Sequence, residues 1–177
     1  AAEHLCGPMS LDIRIWDCFP RRSCLEQFLH RRGLIRLMKK ILAAVDGSPL
    51  THNVIMAAVE EARCHGAELH IVHVLENAWA EGDVARELAI RDLEEEAASL
   101  LSSMKAEAEA QGSEATLHLL RGHPGDRIVD CAIDIKADMV VVGSLGKSHV
   151  KRMIAGSVST FVVTHCPITT VVVKPGA

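Results

Sequence analysis

From residue 38 onward the chain repeats one unit: a strand-length apolar run, a turn, then a segment of helical period. Residues 41–45 are the first run, ending at Asp46-Gly47-Ser48-Pro49. Ser48 suits a helix cap and Pro49 the first helical position, so a helix is expected to start there. Val54, Ile55, Ala58, Val59 and Ala62 share one face of that helix, and Gly66 ends it. Residues 69–75 read as a second strand. After a loop around residues 77–83, Leu93, Ala97, Leu100, Leu101 and Met104 form a stripe at helical spacing, closed by Gly112. Residues 115–120 are a third strand with weaker alternation. The turn Arg121-Gly122-His123-Pro124-Gly125 then enters a helix carrying Ile128, Ala132 and Ile135. Residues 139–142 are a wholly apolar fourth strand. A long loop follows, and a helix begins near Gly156-Ser157 with Val158, Phe161 and Val162 expected inward. Cys166-Pro167 ends it, and residues 168–173 are the last strand.

Five strands alternating with four helices predict an α/β fold: a doubly wound five-stranded parallel sheet, Rossmann-like, with helices on both faces. Strands covered on both sides should be continuously apolar, as 41–45 and 139–142 are. In such sheets ligands bind beyond the carboxyl ends of the strands, where the strand order reverses. Asp46 and Gly143 both stand at such ends.

The rest of the composition narrows the function classes. A chain of 177 residues can form one domain with a full core. A net charge of -4 offers no surface for nucleic acid, and the longest apolar runs fall far short of a membrane span. The expectation is a soluble, cytoplasmic protein. Residues 1–37 differ from the remainder, with six Arg against four acidic residues and breaks at Gly7, Pro8, Pro20 and Gly33. They lack the apolar stretch of a signal peptide and are expected to be an extension ahead of a start at Met38, outside a core domain of residues 38–177. The six Cys are scattered without a CxxC or a zinc-ligand spacing, which fits reduced thiols rather than a framework. His70 and His73 lie three apart on one strand, face opposite sides, and cannot share a metal. The acidic run at Asp92, Glu94, Glu95 and Glu96 reads as the solvated face of a helix rather than as catalytic carboxylates.

The loop after the fourth strand carries the chemistry. It runs Gly143-Ser144-Leu145-Gly146-Lys147-Ser148 and reaches Gly156-Ser157 eight residues later. Glycines at these points let the backbone approach phosphate oxygens without a Cβ in the way. Free amides at the start of the last helix, with the Ser157 hydroxyl beside them, form an anion site favoured by the helix dipole. Lys147, Lys151 and Arg152 add positive charge. Gly146-Lys147-Ser148 matches the tail of a Walker A loop, but that loop needs a Gly at position 141, which is Val. The dinucleotide G-x-G-x-x-G pattern is also missing after the first strand.

With these residues the chain resembles the universal stress proteins of the ATP-binding kind, over Met38 to about Lys174. The family motif is Gly, two residues, Gly, nine residues, then Gly followed by Ser or Thr. It reads here as Gly143, Gly146, Gly156 and Ser157. At average glycine usage that spacing arises by chance in roughly one chain of this length in a hundred. Lys39-Lys40-Ile41-Leu42, Val45-Asp46-Gly47-Ser48, His73-Val74, Gly122-His123-Pro124 and Cys166-Pro167 match as well.

The resemblance implies that Asp46 lies near the ribose or a bound divalent ion, Mg²⁺ or Mn²⁺. It places Val74 against adenine through its backbone and Ala44 under the base. Gly143, Gly146, Ser157 and Val158 would hold ribose and phosphates. Ser48, Ser144, Lys147, Ser148 and Gly156 complete the expected ATP site. Asp46 also reads as a plain helix-entry residue. Val74 also reads as a core valine, since a backbone contact leaves no trace in side-chain choice. Leu145 stands where many relatives have His. A homodimer through residues 168–173 is implied too, and an unpaired β-branched edge needs covering in any case.

Three accounts of function follow: an ATP-binding, homodimeric stress-response module with an unknown protein partner; a slow ATPase or self-phosphorylating enzyme; and a nucleotide-free interaction protein. Phosphoryl transfer needs a metal ligand, a cationic clamp and a positioned nucleophile or water. Only Asp46, Lys147 and Ser144 or Ser148 are candidates, with no evident base, so fast chemistry is not expected. A protein that had abandoned nucleotide would have no physical reason to keep the three glycines.

Overall fold

The computed structural model describes residues 38–76, 84–146 and 156–175. In chain order the elements are β1 (Lys40–Ala44), α1 (Thr51–His65), β2 (Glu68–Leu75), α2 (Val84–Ala110), β3 (Ala115–Arg121), α3 (Pro124–Asp134), β4 (Met139–Gly143), α4 (Ser157–His165) and β5 (Thr169–Val173). The strands form one parallel sheet in the order β3-β2-β1-β4-β5. The chain therefore winds outward from β1 through β2 to β3, then crosses back to build β4 and β5 on the other side. The expected doubly wound α/β sheet is what forms.

The period of two along each strand divides the apolar residues between two layers. Ile41, Ala43, Leu69, Ile71 and Val141 pack on one face against Val54, Ile55, Ala58 and Val59 of α1 and Leu101 and Ala108 of α2. Leu42, Val72, Val140 and Val142 pack on the other against Ile128, Cys131 and Ala132 of α3 and Val162 of α4. Ile41, Leu42, Ile55 and Ile71 have no exposed surface, and each such side chain contributes about 1.5–3 kcal/mol on burial. The central strands begin at matched heights because the Asp138 carboxylate accepts the Lys39 amide at 2.7 Å and the Lys40 amide at 3.2 Å.

Several local expectations shift. The helix expected from Ser48-Pro49 starts at Thr51, with Leu50 as its cap residue and no side-chain cap bond. The cause is Asp46, whose Oδ1 accepts the Ser48 amide at 2.9 Å and the Thr51 hydroxyl at 3.4 Å. That carboxylate closes an Asx turn two residues on and delays the helix by one tight bend. Gly47, at φ 75°, supplies the left-handed residue in that bend. In α4 the buried residues are Ser159 and Val162, whereas Val158 and Phe161 are half-buried. Leu93 of the α2 stripe is 47% exposed. Asp92, Glu95 and Glu96 do face solvent, and Glu94 pairs with Arg121 on β3.

His70 and His73 take opposite faces, as their spacing requires. His70 Nδ1 lies 3.0 Å from His118 Nε2 on β3, and the two rings stack. Burial, then the Lys40 charge, pushes His70 below its ordinary value, while Glu68 opposes the shift. Burial, then His70, does the same to His118. The pair is a hydrogen-bonded couple on the sheet face, with both rings shifted toward the neutral form. Among the described residues no helix is long and apolar enough to cross a membrane.

Candidate functional site

The winding of the sheet leaves a crevice where the loops after β1 and β4 diverge in opposite directions. A cavity of about 410 Å³ fills it, a size suited to a small organic ligand. Its walls come from the carboxyl ends of β1, β2 and β4, from the turn into α1, and from the first turns of α3 and α4.

Nine of the twelve residues expected at the site line this cavity. Ala44, Asp46 and Ser48 come from the end of β1 and its turn, and Val74 from β2. Gly143, Gly146, Gly156, Ser157 and Val158 come from β4, its loop and α4. Ser144 is placed differently. It is 2% exposed, lies behind the cavity wall, and works through its backbone. Its amide donates to the Val173 carbonyl at 2.8 Å and its carbonyl accepts the Gly156 amide at 2.6 Å. Those two bonds tie the loop to β5 and bring its far end back beside its start. Lys147, Ser148, Lys151 and Arg152 lie outside the described residues.

The glycines differ in what holds them there. Gly47, Gly66, Gly112 and Gly122 have positive φ, but the three of the loop do not. A Cβ on Gly143 would meet Leu145, Leu50 and Val54 at 3.5 Å, which is ordinary contact. On Gly156 it would stand 3.5 Å from the Ser144 carbonyl and 3.7 Å from the Gly146 amide nitrogen, again without a clash. Only Gly146 is tight, with a Cβ coming to 3.1 Å from Asp46 Oδ2. Conformation and packing thus leave room for alanine at two of the three positions. Both of those positions line the cavity.

The electrostatics favour an anion at the loop end. Gly156 caps α4 at φ -70° and ψ 163°, its carbonyl accepting the Thr160 amide at 3.0 Å and the Ser159 hydroxyl at 3.0 Å. The amides of the first turn that follows have no partner within the helix and carry the positive end of its dipole. Asp46 stands opposite, with Oδ1 held in the turn and Oδ2 toward Gly146. The other end of the cavity is apolar and backbone-lined. The last β1–β2 pair is Ala44 with Val72, so β2 runs three residues past its neighbour. The Val72 carbonyl faces β1, where it accepts the Val45 amide at 2.9 Å. Two residues on, the Val74 N–H and C=O point the same way, into space that β1 has vacated.

Thr51, His73, Glu76, Leu93, Ile128 and Ser159 also line the cavity, and none of them is among the residues expected at the site. Thr51 and Ser159 carry a signal, a hydroxyl in the first turn of a helix. Leu93 and Ile128 had been read as core. Their position follows from where the helices stop, which residue type does not report.

A model of the universal stress protein family matches residues 38–174. The chain is 34% identical over 144 residues to a universal stress protein of Methanocaldococcus jannaschii, covering 78% of this chain and 84% of the relative. Among solved structures it is similar to the hypothetical protein MJ0577, with a TM-score of 0.73 and 25% identity over 80% of this chain and 99% of that one. It is also similar to the universal stress protein from Archaeoglobus fulgidus in complex with dAMP, with a TM-score of 0.59 and 26% identity over 77% and 98%.

Proposed function

This chain belongs to the universal stress protein family, and from that premise we propose that it binds ATP in the crevice between β1 and β4 and acts as a cytoplasmic regulatory module of the stress response. One observation carries the reading: Gly143 and Gly156 border the cavity at positions where the fold itself would accept a side chain. A ligand that needs bare backbone explains glycine there, and phosphate oxygens are such a ligand. The phosphates lie against the Gly143–Gly146 backbone and the first amides of α4, with Ser157 and Val158 beside them. Lys147 and Ser148 follow directly on Gly146 in the chain and complete the loop.

The base enters the apolar end, over Ala44, where an adenine edge offers an acceptor to the Val74 N–H and a donor to its C=O. A relative with dAMP bound supports an adenine nucleotide as the ligand class. Asp46 faces the ribose and a divalent ion. Mg²⁺ or Mn²⁺ is commonly held by one carboxylate together with substrate phosphates, and Asp46 with one oxygen engaged in the turn fits that role. When bound, the ion would supply neutralisation of phosphate charge. Residues 38–177 are the functional unit in this reading, and the β5 edge joins two copies. Thr170–Val173 on that edge are half-buried within one chain, which leaves apolar surface for a second.

The test is to denature freshly purified protein, identify any released nucleotide by chromatography, and titrate ATP with Mg²⁺ into the stripped protein. Recovered or tightly titrating ATP is the expected result. A folded sample with no nucleotide and no heat of binding overturns the reading in favour of an interaction protein.

A further inference from the structure

The fork where β1 and β2 part is held by a side chain. In a parallel ladder the rung after Val45 N–H to Val72 C=O runs from Val74 N–H back to the Val45 carbonyl. Here pairing stops at Ala44 and Val72, and that rung is not made. The Val45 carbonyl instead meets Nδ1 of His73 at 2.7 Å. A carbonyl oxygen only accepts, so Nδ1 carries the hydrogen and donates it. His73 is 6% exposed, and both it and Val74 line the cavity. A buried histidine needs a partner, and many carbonyls would serve. This one is the carbonyl that Val74 would otherwise occupy.

We propose that His73 is a positioning residue for the base: by taking the Val45 carbonyl it keeps the β1–β2 ladder from closing and leaves the Val74 amide to the ligand. The proposal rests on the adenine-nucleotide reading and adds to it the cause of the free backbone edge. A histidine that merely fills the sheet face would contribute stability alone. A positioning histidine controls which group the Val74 N–H meets.

The variants that separate these roles are His73→Val, which removes the donor, and His73→Asn, whose amide nitrogen can take the place of Nδ1. Two measurements are made on the full chain: hydrogen exchange of the Val74 amide by NMR, and affinity for AMP and for inorganic tripolyphosphate. In nucleotide-free wild type the Val74 amide exchanges fast, and AMP slows it. In His73→Val the rung closes, so the amide is slow without ligand and AMP binding weakens about ten- to a hundredfold, the loss of one buried hydrogen bond. Tripolyphosphate, which makes no contact at the base end, binds unchanged. His73→Asn recovers most of the AMP affinity. Should His73→Val not fold, His73→Leu, closer in volume, replaces it.

A wild type that binds AMP beside a folded His73→Val that binds it equally well overturns the role of His73 and leaves the nucleotide reading standing. A Val74 amide as slow as that of Val72 in nucleotide-free wild type overturns it too, as does equal loss in the Val and Asn variants. A wild type that binds ATP but no AMP is read with ATP in the same variants; one that binds neither removes the nucleotide reading, and the proposal falls with it.

Discussion

Gly156→Val separates a glycine that the fold needs from one that a ligand needs. At φ -70° and ψ 163° the backbone is in the extended region, where valine is comfortable. The new Cβ meets the Ser144 carbonyl at 3.5 Å and Ser159 Oγ at 3.7 Å, so among the described residues no atom must move to admit it. Losing a glycine at a helix cap costs about 0.5–1 kcal/mol, while the stiffer unfolded chain returns about 0.4–1 kcal/mol. The two nearly cancel. At about 4 °C per kcal/mol for a domain of this size, the melting temperature of nucleotide-free protein should move by a few degrees at most. Binding should behave otherwise. The Cβ would stand 3.7 Å from the Gly146 amide nitrogen at the cavity wall, and the γ carbons add bulk beside it. Loss of two amide bonds to a charged phosphate, at about 1.5–3 kcal/mol each, weakens ATP at least a hundredfold. Calorimetric titration beside a thermal melt reads both quantities. ATP affinity within threefold of wild type refutes the phosphate cradle. A fall of more than about 10 °C in the melt refutes the premise that the scaffold tolerates a side chain there.

Gly125→Ala should show the opposite pattern, with a large loss of stability, because its Cβ would fall 2.6 Å from Phe161 Cδ1 where α3 meets α4. Overpacking of that kind costs about 1–3 kcal/mol, and Phe161→Ala in the same chain should remove most of the added penalty by denaturant melt. The lowered pKa values of His70 and His118 mean that the unfolded chain binds more protons than the folded one below its ordinary value of 6.5. Stability is then full above about 6.5 and declines as pH falls from there toward the lower folded values, and melts between pH 7.5 and 5 should show a shallower slope in His118→Gln. On β5 the Val173 carbonyl turns toward β4, where it accepts the Ser144 amide, so the N–H of Val172 faces the open edge. Val172→Pro should therefore keep the fold yet sediment as a monomer, and a persistent dimer would place the interface elsewhere.

The parts of this molecule that side-chain patterning can encode were readable. Strands buried on both faces had to be unbroken apolar runs, so β1 and β4 stood out, and their alternation with amphipathic helices left one family of topologies. The spacing of Gly143, Gly146 and Gly156 stood out for a related reason, since a missing side chain is itself a side-chain signal. Ser144 shows the limit. A serine between two glycines of a phosphate-type loop reads as a ligand or nucleophile, yet its hydroxyl is turned inward and its backbone ties the loop to Val173 and Gly156. The start of α1 differs from the expected one because Asp46 and Ser48 are both capping residues, and only the structure shows Asp46 closing a turn on the Ser48 amide before the helix begins at Thr51.

What the sequence hides is the backbone, and the base end of the cavity is made of backbone. Val74 is one of several apolar residues in its strand, and nothing in its side chain distinguishes it from Val72. The difference lies in their partners, since Val72 offers its carbonyl to Val45 whereas Val74 stands beyond the last rung. His73 is the trace that the difference leaves in the sequence. A polar residue amid that apolar strand must find a hydrogen-bond partner once buried, and the place where it finds one is where the ladder fails to close.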